Sequence, residues 1–428
     1  MFQTIVNAFK IKEVRRKILI TIALLFVYRL GCYIPVPGVE IFSGLQDYTY
    51  FQIMSAVSGG ALTYGTFFAM GIGPYINASI IIQLLTVGIP ALERLSKQGE
   101  EGKRKINAYT RLLTLVLAIA QAIGILVAFS GSVNTGKIFG TTKFLSFLSY
   151  FFLVIVYTAG AALTMWIGER ITDYGVSNGT SLLIFAGILS TAGISIIGMI
   201  KQLFIPASAM KAAWTLIGFV IAAILIFAAV VAVNSAERKI PVQYAKQVKG
   251  RKMYGGQSTH IPIKVNASGV MPLIFSYAIL SFPDLIINLV GTGKNWWTTN
   301  MGTGSWPYMV VLCVLILFFS YFYNQIQFNP DDISKSIQGN GGFIPGTRPG
   351  KPTADYLRRV SNRITLFGAI YLALVALVPS LIFKAIGGDT LVNVFSATGI
   401  LIIVSVALEF EQALQSQIMM KNYKGFLK

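Results

Sequence analysis

Charge is scarce in this 428-residue sequence: Asp, Glu, Lys and Arg together make up 12% of it, about half the share carried by a soluble globular protein. A water-soluble enzyme is nearly excluded on that ground. Cysteine is nearly missing, and Cys32 and Cys313 both sit inside apolar runs, so neither a disulfide framework nor a thiolate metal site is expected. The one histidine, His260, leaves no imidazole pair for a metal or a proton relay. Acidic residues are outnumbered 35 to 16 by Lys and Arg, a formal net charge of +19. What is abundant is apolar: 54% hydrophobic residues, 41 glycines and a mean hydropathy of +0.67. Such a composition fits long apolar helices packed closely in lipid.

Runs able to cross roughly 30 Å of hydrocarbon as helices number ten. The first five are Ile18–Ile34, Phe67–Ile89, Leu112–Ser130, Phe144–Gly168 and Ser181–Ile200. The second five are Ala212–Val233, Asn266–Val290, Pro307–Asn324, Ile364–Ile386 and Leu391–Leu408. The expected fold is therefore an all-α integral membrane protein, with a first half over 18–200, an external hinge loop at 201–211 and a second half over 212–408. Nearly all Lys and Arg fall in the N-terminal segment, the even-numbered loops and the C-terminal tail. Positively charged loops stay on the cytoplasmic side, so both termini are expected there. No A-x-A-type cleavage site follows the first span, which is expected to be retained.

Two cytoplasmic loops, 234–265 and 325–363, are far longer than the connectors of a helical bundle, and they interleave Gly, Pro and Tyr with basic residues. Length and shape of this kind imply a docking surface rather than retention charge alone. Before the first span, residues 1–17 place Phe2, Ile5, Phe9 and Ile11 near one face, which predicts a short amphipathic cytoplasmic helix at the headgroups. Residues 409–428 form a cytoplasmic tail.

Catalysis or ion coupling within a membrane leaves ionisable residues in the spans, because their burial is costly. Here the span interiors hold only Arg29, with Asp284, Glu409 and Glu411 at helix ends. A pump, an intramembrane protease or another enzyme is disfavoured, and no cofactor is expected. GTRPGKPT at 346–353 resembles part of a phosphate-binding loop, but Pro345 and Pro352 stand where Gly and Ser or Thr are needed. The chain reads as a conduit. The second span of each half carries breakers, Gly71, Gly73 and Pro74 in one and Gly269 and Pro272 in the other. Paired interruptions point to an inverted repeat with a pathway at its interface. The segment before the first break, SAVSGGALTYGTFFAMG, is uncharged and too polar to span; it fits a stretch dipping into the bilayer against protein or water. An inverted-repeat secondary transporter of a small solute remains an alternative, against which the lack of buried charge counts.

Several stretches resemble one family in order along the chain. They are IPVPGVE, SGGALTYGTFFAMGIGPYINASIIIQLL, MWIGERITDYGVSNGTSLLIFAGI, AERKIPVQYAKQVKGRKMYGGQSTHIPIKVNASGVMP and FIPGTRPGKPT. The sequence is similar to the SecY family, channel subunits of the bacterial Sec protein translocase. The resemblance implies two inverted five-helix halves around a central hourglass pore. It implies an aliphatic pore ring at Ile72, Ile76, Ile184, Ile188, Ile274 and Ile402, a constriction that dewets and blocks ions. A plug, a short helix within 55–70, would include Ser58, Gly59, Gly60, Ala61, Leu62, Thr63, Tyr64 and Gly65. A lateral gate toward lipid would be held by Asn77, Gln83 and Gln121, with Phe282 facing the same seam. Arg348, Lys246, Lys249, Arg251 and Lys252 would contact the motor ATPase SecA or the ribosome. Further implied partners are SecE, SecG, signal sequences, unfolded preproteins and membrane lipid, with no DNA. The implied location is the bacterial plasma membrane.

Overall fold

The computed structural model describes residues 2–42, 49–140, 142–203, 209–244, 247–249, 252–254, 258–266, 268–290, 296–301, 305–385 and 397–425. Long helices dominate it. In chain order they begin with α1 (Phe2–Lys10), α2 (Lys12–Gly31), α3 (Thr49–Val57), α4 (Gly73–Gly88) and α5 (Pro90–Ser96). There follow α6 (Glu100–Ala128), α7 (Lys143–Tyr174), α8 (Gly179–Leu203), α9 (Ala209–Asn234) and α10 (Met271–Val290). The series ends with α11 (Trp296–Asn300), α12 (Trp306–Gln327), α13 (Pro330–Gly339), α14 (Lys351–Ala385) and α15 (Ala397–Gly425). Among the described residues, five helices are long and apolar enough to cross a membrane: those built on α6, α7, α8, α12 and α14. A sixth is added if α4 and α5, bent by 104° at Ile89 with Pro90 following, count as one broken span.

Packing follows sequence order within two groups. In the first, α4 lies on α6, α6 on α7, α7 on α8, and α2 against α7 and α8; in the second, α10 lies on α12, α12 on α14, and α15 on α9 and α14. The groups meet where α10 crosses α6 and α4, and where α8 touches α9 and α15. The helix breakers of the sequence turn out to be helix starts. Gly71 (φ +53°) stands three residues before Pro74, which opens α4 beside its N-cap Ile72; Gly269 (φ +62°) stands three residues before Pro272, the second residue of α10. Proline fits the first helical turn because the N–H it lacks would be unpaired there, and glycine takes the left-handed turn before it. Residues 67–72, expected within the second span, are consequently turns rather than helix.

The fold is mostly rather than wholly helical, which corrects the all-α expectation. The two long loops carry β1 (Glu237–Tyr244), β2 (Gln247–Lys249), β3 (Lys252–Tyr254), β4 (Ser258–Lys264) and β5 (Gly342–Phe343). One sheet has the order β4-β1-β5, antiparallel, so a strand from loop 325–363 pairs with the hairpin of loop 234–265. The cause lies in the alternation of β1, where Ile240 and Val242 are buried while their neighbours face out. Period-two β-branched residues favour a half-buried strand over a loop. That face packs on Ile263, Ile337, Ile344 and Leu357, the last from α14, to make a small core outside the helical bundle.

The amphipathic helix α1 is not a free-lying element. Ala8 is buried with Val14, Ile18, Val176 and Leu414, and Thr4 Oγ1 donates to Glu411 Oε1 at 3.4 Å, so α1 rests on α15.

Because Leu357 is fully buried in the small loop core, Leu357→Ala should destabilise that module by about 2–5 kcal/mol. Limited proteolysis of the detergent-purified protein reads this as faster cleavage within 237–264 at unchanged secondary structure; an unaltered cleavage rate would show that the loops do not depend on this core.

Candidate functional site

The six isoleucines singled out in the sequence come from four helices and the turn before α4. Ile72, Ile184, Ile188 and Ile402 are buried in a single apolar cluster, and Ile76 and Ile274 pack against it half-buried. Each arrives by a simple geometric route. Ile72 and Ile76 flank the start of α4, one turn apart, while Ile184 and Ile188 occupy one face of α8 at the same spacing. Ile274 follows the Met271–Pro272 start of α10, and Ile402 lies in the first turns of α15. None of these side chains carries a hydrogen-bonding atom. They attract one another only through dispersion and exclusion of water.

Against this cluster rests the segment 58–65, with Ala61 part of the same apolar body. The expected short helix lies upstream instead: α3 ends at Val57, and Ser58–Gly65 is a run of turns. Gly59, Gly60 and Gly65 at φ +70°, +85° and +55° account for the difference, since successive left-handed residues cannot continue a right-handed helix. Ser58, Ala61 and Leu62 are almost wholly buried, Gly59 and Gly65 are buried, Gly60 and Thr63 are half-buried, and Tyr64 is exposed.

Such a stretch needs its own hydrogen bonds. Gly60 N donates to Ser55 O at 2.8 Å, Leu62 N to Ser58 Oγ at 3.3 Å and Gly65 N to Leu62 O at 3.0 Å. Ser55 and Thr63 join through their hydroxyls at 2.8 Å, and Thr66 Oγ1 donates to Ala61 O at 3.1 Å. From outside, Tyr157 OH on α7 donates to Gly65 O at 3.4 Å, and Phe42 N to Thr63 O at 3.0 Å.

A seam runs where α4 and α6 face α10 and α12. Its apolar part is built from Ile80 of α4, Phe275 of α10 and Phe319 and Tyr323 of α12. Phe275 lies with ring centroids 4.8 Å from Tyr323 and 5.9 Å from Phe319. Among the described residues one hydrogen bond crosses from α4 to α12: Tyr323 OH donates to Gln83 Oε1 at 2.6 Å, while Gln83 Nε2 donates to Ser79 Oγ at 3.2 Å. Asn77 and Gln121 are buried on α4 and α6. Gln121 Oε1 has no partner among the described residues. The side chain of Phe282 lies outside the described residues.

Comparison with known proteins places this geometry. A family model described as SecY matches residues 66–411. The protein translocase subunit SecY of Corynebacterium glutamicum is 42% identical, covering 99% of both chains. That of Streptomyces galbus is also 42% identical, over the full length of both. The chain belongs to the SecY family. Among solved structures, one described as a protein conducting channel superposes with a TM-score of 0.71 at 20% identity, over 94% of this chain and 92% of that one. Sec61 in a canine ribosome-channel complex from the endoplasmic reticulum gives 0.64 at 18% identity, with the same coverage. At these identities the likeness concerns the fold.

SecY membership directs attention to the two long loops, where the structure separates the expected contact residues. Arg348 is exposed on a turn of loop 325–363. Its backbone is held by Thr353 Oγ1, which donates to Arg348 O at 2.7 Å, and two residues on Ser334 Oγ donates to Gly350 O at 2.6 Å. Lys249 and Lys252 stand opposite one another in the last pair of the β2–β3 hairpin. Lys246 and Arg251 lie outside the described residues.

Sequence reasoning missed Tyr323, whose partner is 240 positions away. The only local signal was a phenol within the apolar run of α12, which hydropathy does not separate from a lipid-facing aromatic. Tyr323→Phe removes one cross-seam hydrogen bond, worth about 0.6–2 kcal/mol in a membrane. Disulfide trapping between cysteines placed on α4 and α12 should become slower in that variant, with Gln83→Leu matching it; trapping as fast as in the parent would show that the bond does not hold the seam.

Proposed function

We propose that this chain is the pore-forming subunit of a protein-conducting channel that passes unfolded secretory polypeptides across the bacterial plasma membrane and releases apolar helices sideways into lipid. The carrying observation is full-length similarity to SecY translocase subunits, joined to an isoleucine cluster drawn from separate helices and covered by an uncharged turn segment. On this reading ten spans form two five-helix halves around an hourglass pore. The equal spacing of Gly71 to Pro74 and Gly269 to Pro272, each at the start of a helix, supports the pairing of the halves.

The six isoleucines are the pore ring in this scheme. A ring without polar atoms holds no water column, so ions are stopped by dewetting. It also has nothing with which to bind a passing chain, and dispersion contacts reform as the chain leaves. Ser58–Gly65 is the plug. Most of its hydrogen bonds are internal, so displacing it breaks few bonds to the wall. The seam of Ile80, Phe275, Phe319 and Tyr323, with Gln83 across it, is the lateral gate. An apolar segment reaching it exchanges one apolar contact for another and enters lipid at small cost.

Neither the ring nor the plug supplies energy. Work would come from SecA hydrolysing ATP or from a translating ribosome, docking on the cytoplasmic loops with SecE and SecG as companion subunits. Arg348 suits that role because its carbonyl is held by Thr353 while its side chain is exposed, and a planar fork of donors engages carboxylates or carbonyls. Both termini lie on the same cytoplasmic face, supported by the concentration of Lys and Arg there. A secondary transporter is not favoured by the SecY similarity.

Reconstitution with SecE, SecA and ATP should carry an unfolded precursor into a protease-protected state, and Arg348→Glu should abolish that protection while leaving the resting seal intact. Precursor that stays digestible with active partners, or undiminished protection in the variant, would defeat the respective assignment. Ile402→Ser and Ile274→Ser should raise resting ion leak and admit precursors with defective signal sequences. A leak equal to the parent's in both would remove the isoleucines from the seal.

A further inference from the structure

Arg29 is the one charged residue within the interior of the spans read from the sequence, and its surroundings explain why a cation is tolerated there. It sits near the end of α2, and its Nη2 donates to Ser190 Oγ of α8 and, at 3.4 Å, to Tyr33 OH. Its guanidinium carbon lies 5.4 Å from the centroid of the Tyr33 ring. These contacts leave the other side of the group unused: Nη1 is buried and has no partner among the described residues.

What Nη1 lies against is the turn segment 58–65. A methyl group on Gly59 would overlap the guanidinium, and the same methyl would stand 3.1 Å from Gly187 O of α8. Gly59 is the first residue after the last turn of α3 whose φ is left-handed. The turn at Gly59, directly after the C-terminal end of α3, therefore meets both Arg29 and α8. On the α8 side the approach is equally close. Thr191 Oγ1 donates to Ala56 O at 3.2 Å, and Gly187 faces Val57 O so closely that any side chain there would overlap it.

The carbonyl end of a helix carries a partial negative charge, and a cation placed against it is stabilised, most where water is scarce. Such a site would also repay part of the cost of burying a guanidinium whose Nη1 has no hydrogen bond. We propose that Arg29 is a catch for the plug: a positioning residue on α2 whose positive charge holds the 58–65 turns seated by attracting the C-terminal end of α3. The proposal rests on the reading of 58–65 as a plug. Ser190 and Tyr33 aim the guanidinium, and the small residues Gly59 and Gly187 let charge and carbonyls approach. Once the plug leaves, water enters the space it occupied and hydrates the guanidinium, so release requires no new partner. The catch biases the resting state without locking it.

The test uses the chain reconstituted with SecE in liposomes, with resting ion efflux as the readout. Arg29→Gln and Arg29→Met keep length and lose charge; each should raise resting efflux about tenfold, the effect of losing one charge-assisted contact. Arg29→Lys should restore most of the seal. Ser190→Ala, which leaves the charge in place but removes its aiming contact, should give a smaller rise and covers the case in which an Arg29 variant fails to assemble. A channel lacking residues 58–65 should leak strongly, and Arg29→Gln should add nothing in that background.

If Arg29→Gln and Ser190→Ala seal as well as the parent while the deletion leaks, the catch is wrong and the plug reading stands. If the deletion itself does not leak, the plug reading falls and the catch with it. Efflux from Arg29→Lys equal to that from Arg29→Gln, or a further rise from Arg29→Gln in the deletion background, would overturn the catch by showing that Arg29 acts by some means other than charge on the plug.

Discussion

Hydrocarbon offers no hydrogen bonds, and that single constraint organises the molecule. Helices satisfy their backbone groups internally and need only an apolar surface. Any stretch that is not helical at membrane depth must be enclosed and must carry its own partners. Residues 55–72 suit such a place, with Ser55, Ser58, Thr63 and Thr66 bonding within the segment, Tyr157 of α7 donating to Gly65 O and Gly187 of α8 close against Val57 O. The glycines that forbid a helix there also permit the close approaches that keep water away. An uncharged segment can therefore lie among spans without being one.

The same constraint separates two kinds of contact. Around the isoleucine cluster the contacts are purely apolar and therefore reversible in any direction. Along the seam they are apolar with one hydrogen bond set across them, Tyr323 to Gln83. A hydrogen bond has direction and a threshold; dispersion has neither. The cluster is suited to yielding smoothly, and the seam to parting as a step.

Hydropathy marked an apolar stretch of each long helix but not its extent, α6 and α14 beginning more than ten residues before the expected spans, because the lipid requirement acts on composition within a window rather than on helix ends. Helix starts at Pro74 and Pro272 were visible as breakers, yet only the backbone shows that they open helices instead of kinking them. The resemblance implies a helix where Ser58–Gly65 forms turns, because resemblance transfers a role more readily than a dihedral angle. The sheet was hidden for a different reason: Ile240 and Val242 alternate as a strand should, but β5 is two residues long and its partner lies about 100 positions earlier. Tyr323 carried no local sign of Gln83, nor Arg29 of Ser190, although Tyr33 stands only four residues from Arg29. Pairings between helices are properties of the packed bundle, and a single sequence records only the residue types that make them possible.

The pairing of β1 with β5 has a mechanical consequence. Loop 234–265 connects α9 to α10, and the loop containing β5 lies between α12 and α14. Joined by one sheet and one core, they behave as a yoke fastened at four helix ends. On the proposed function, a machine pressing on either loop would load all four shafts together, including α10 and α12, which form one bank of the seam. Force applied in the aqueous phase thus arrives at the membrane already shared out, with no need for the pusher to touch the helices it moves.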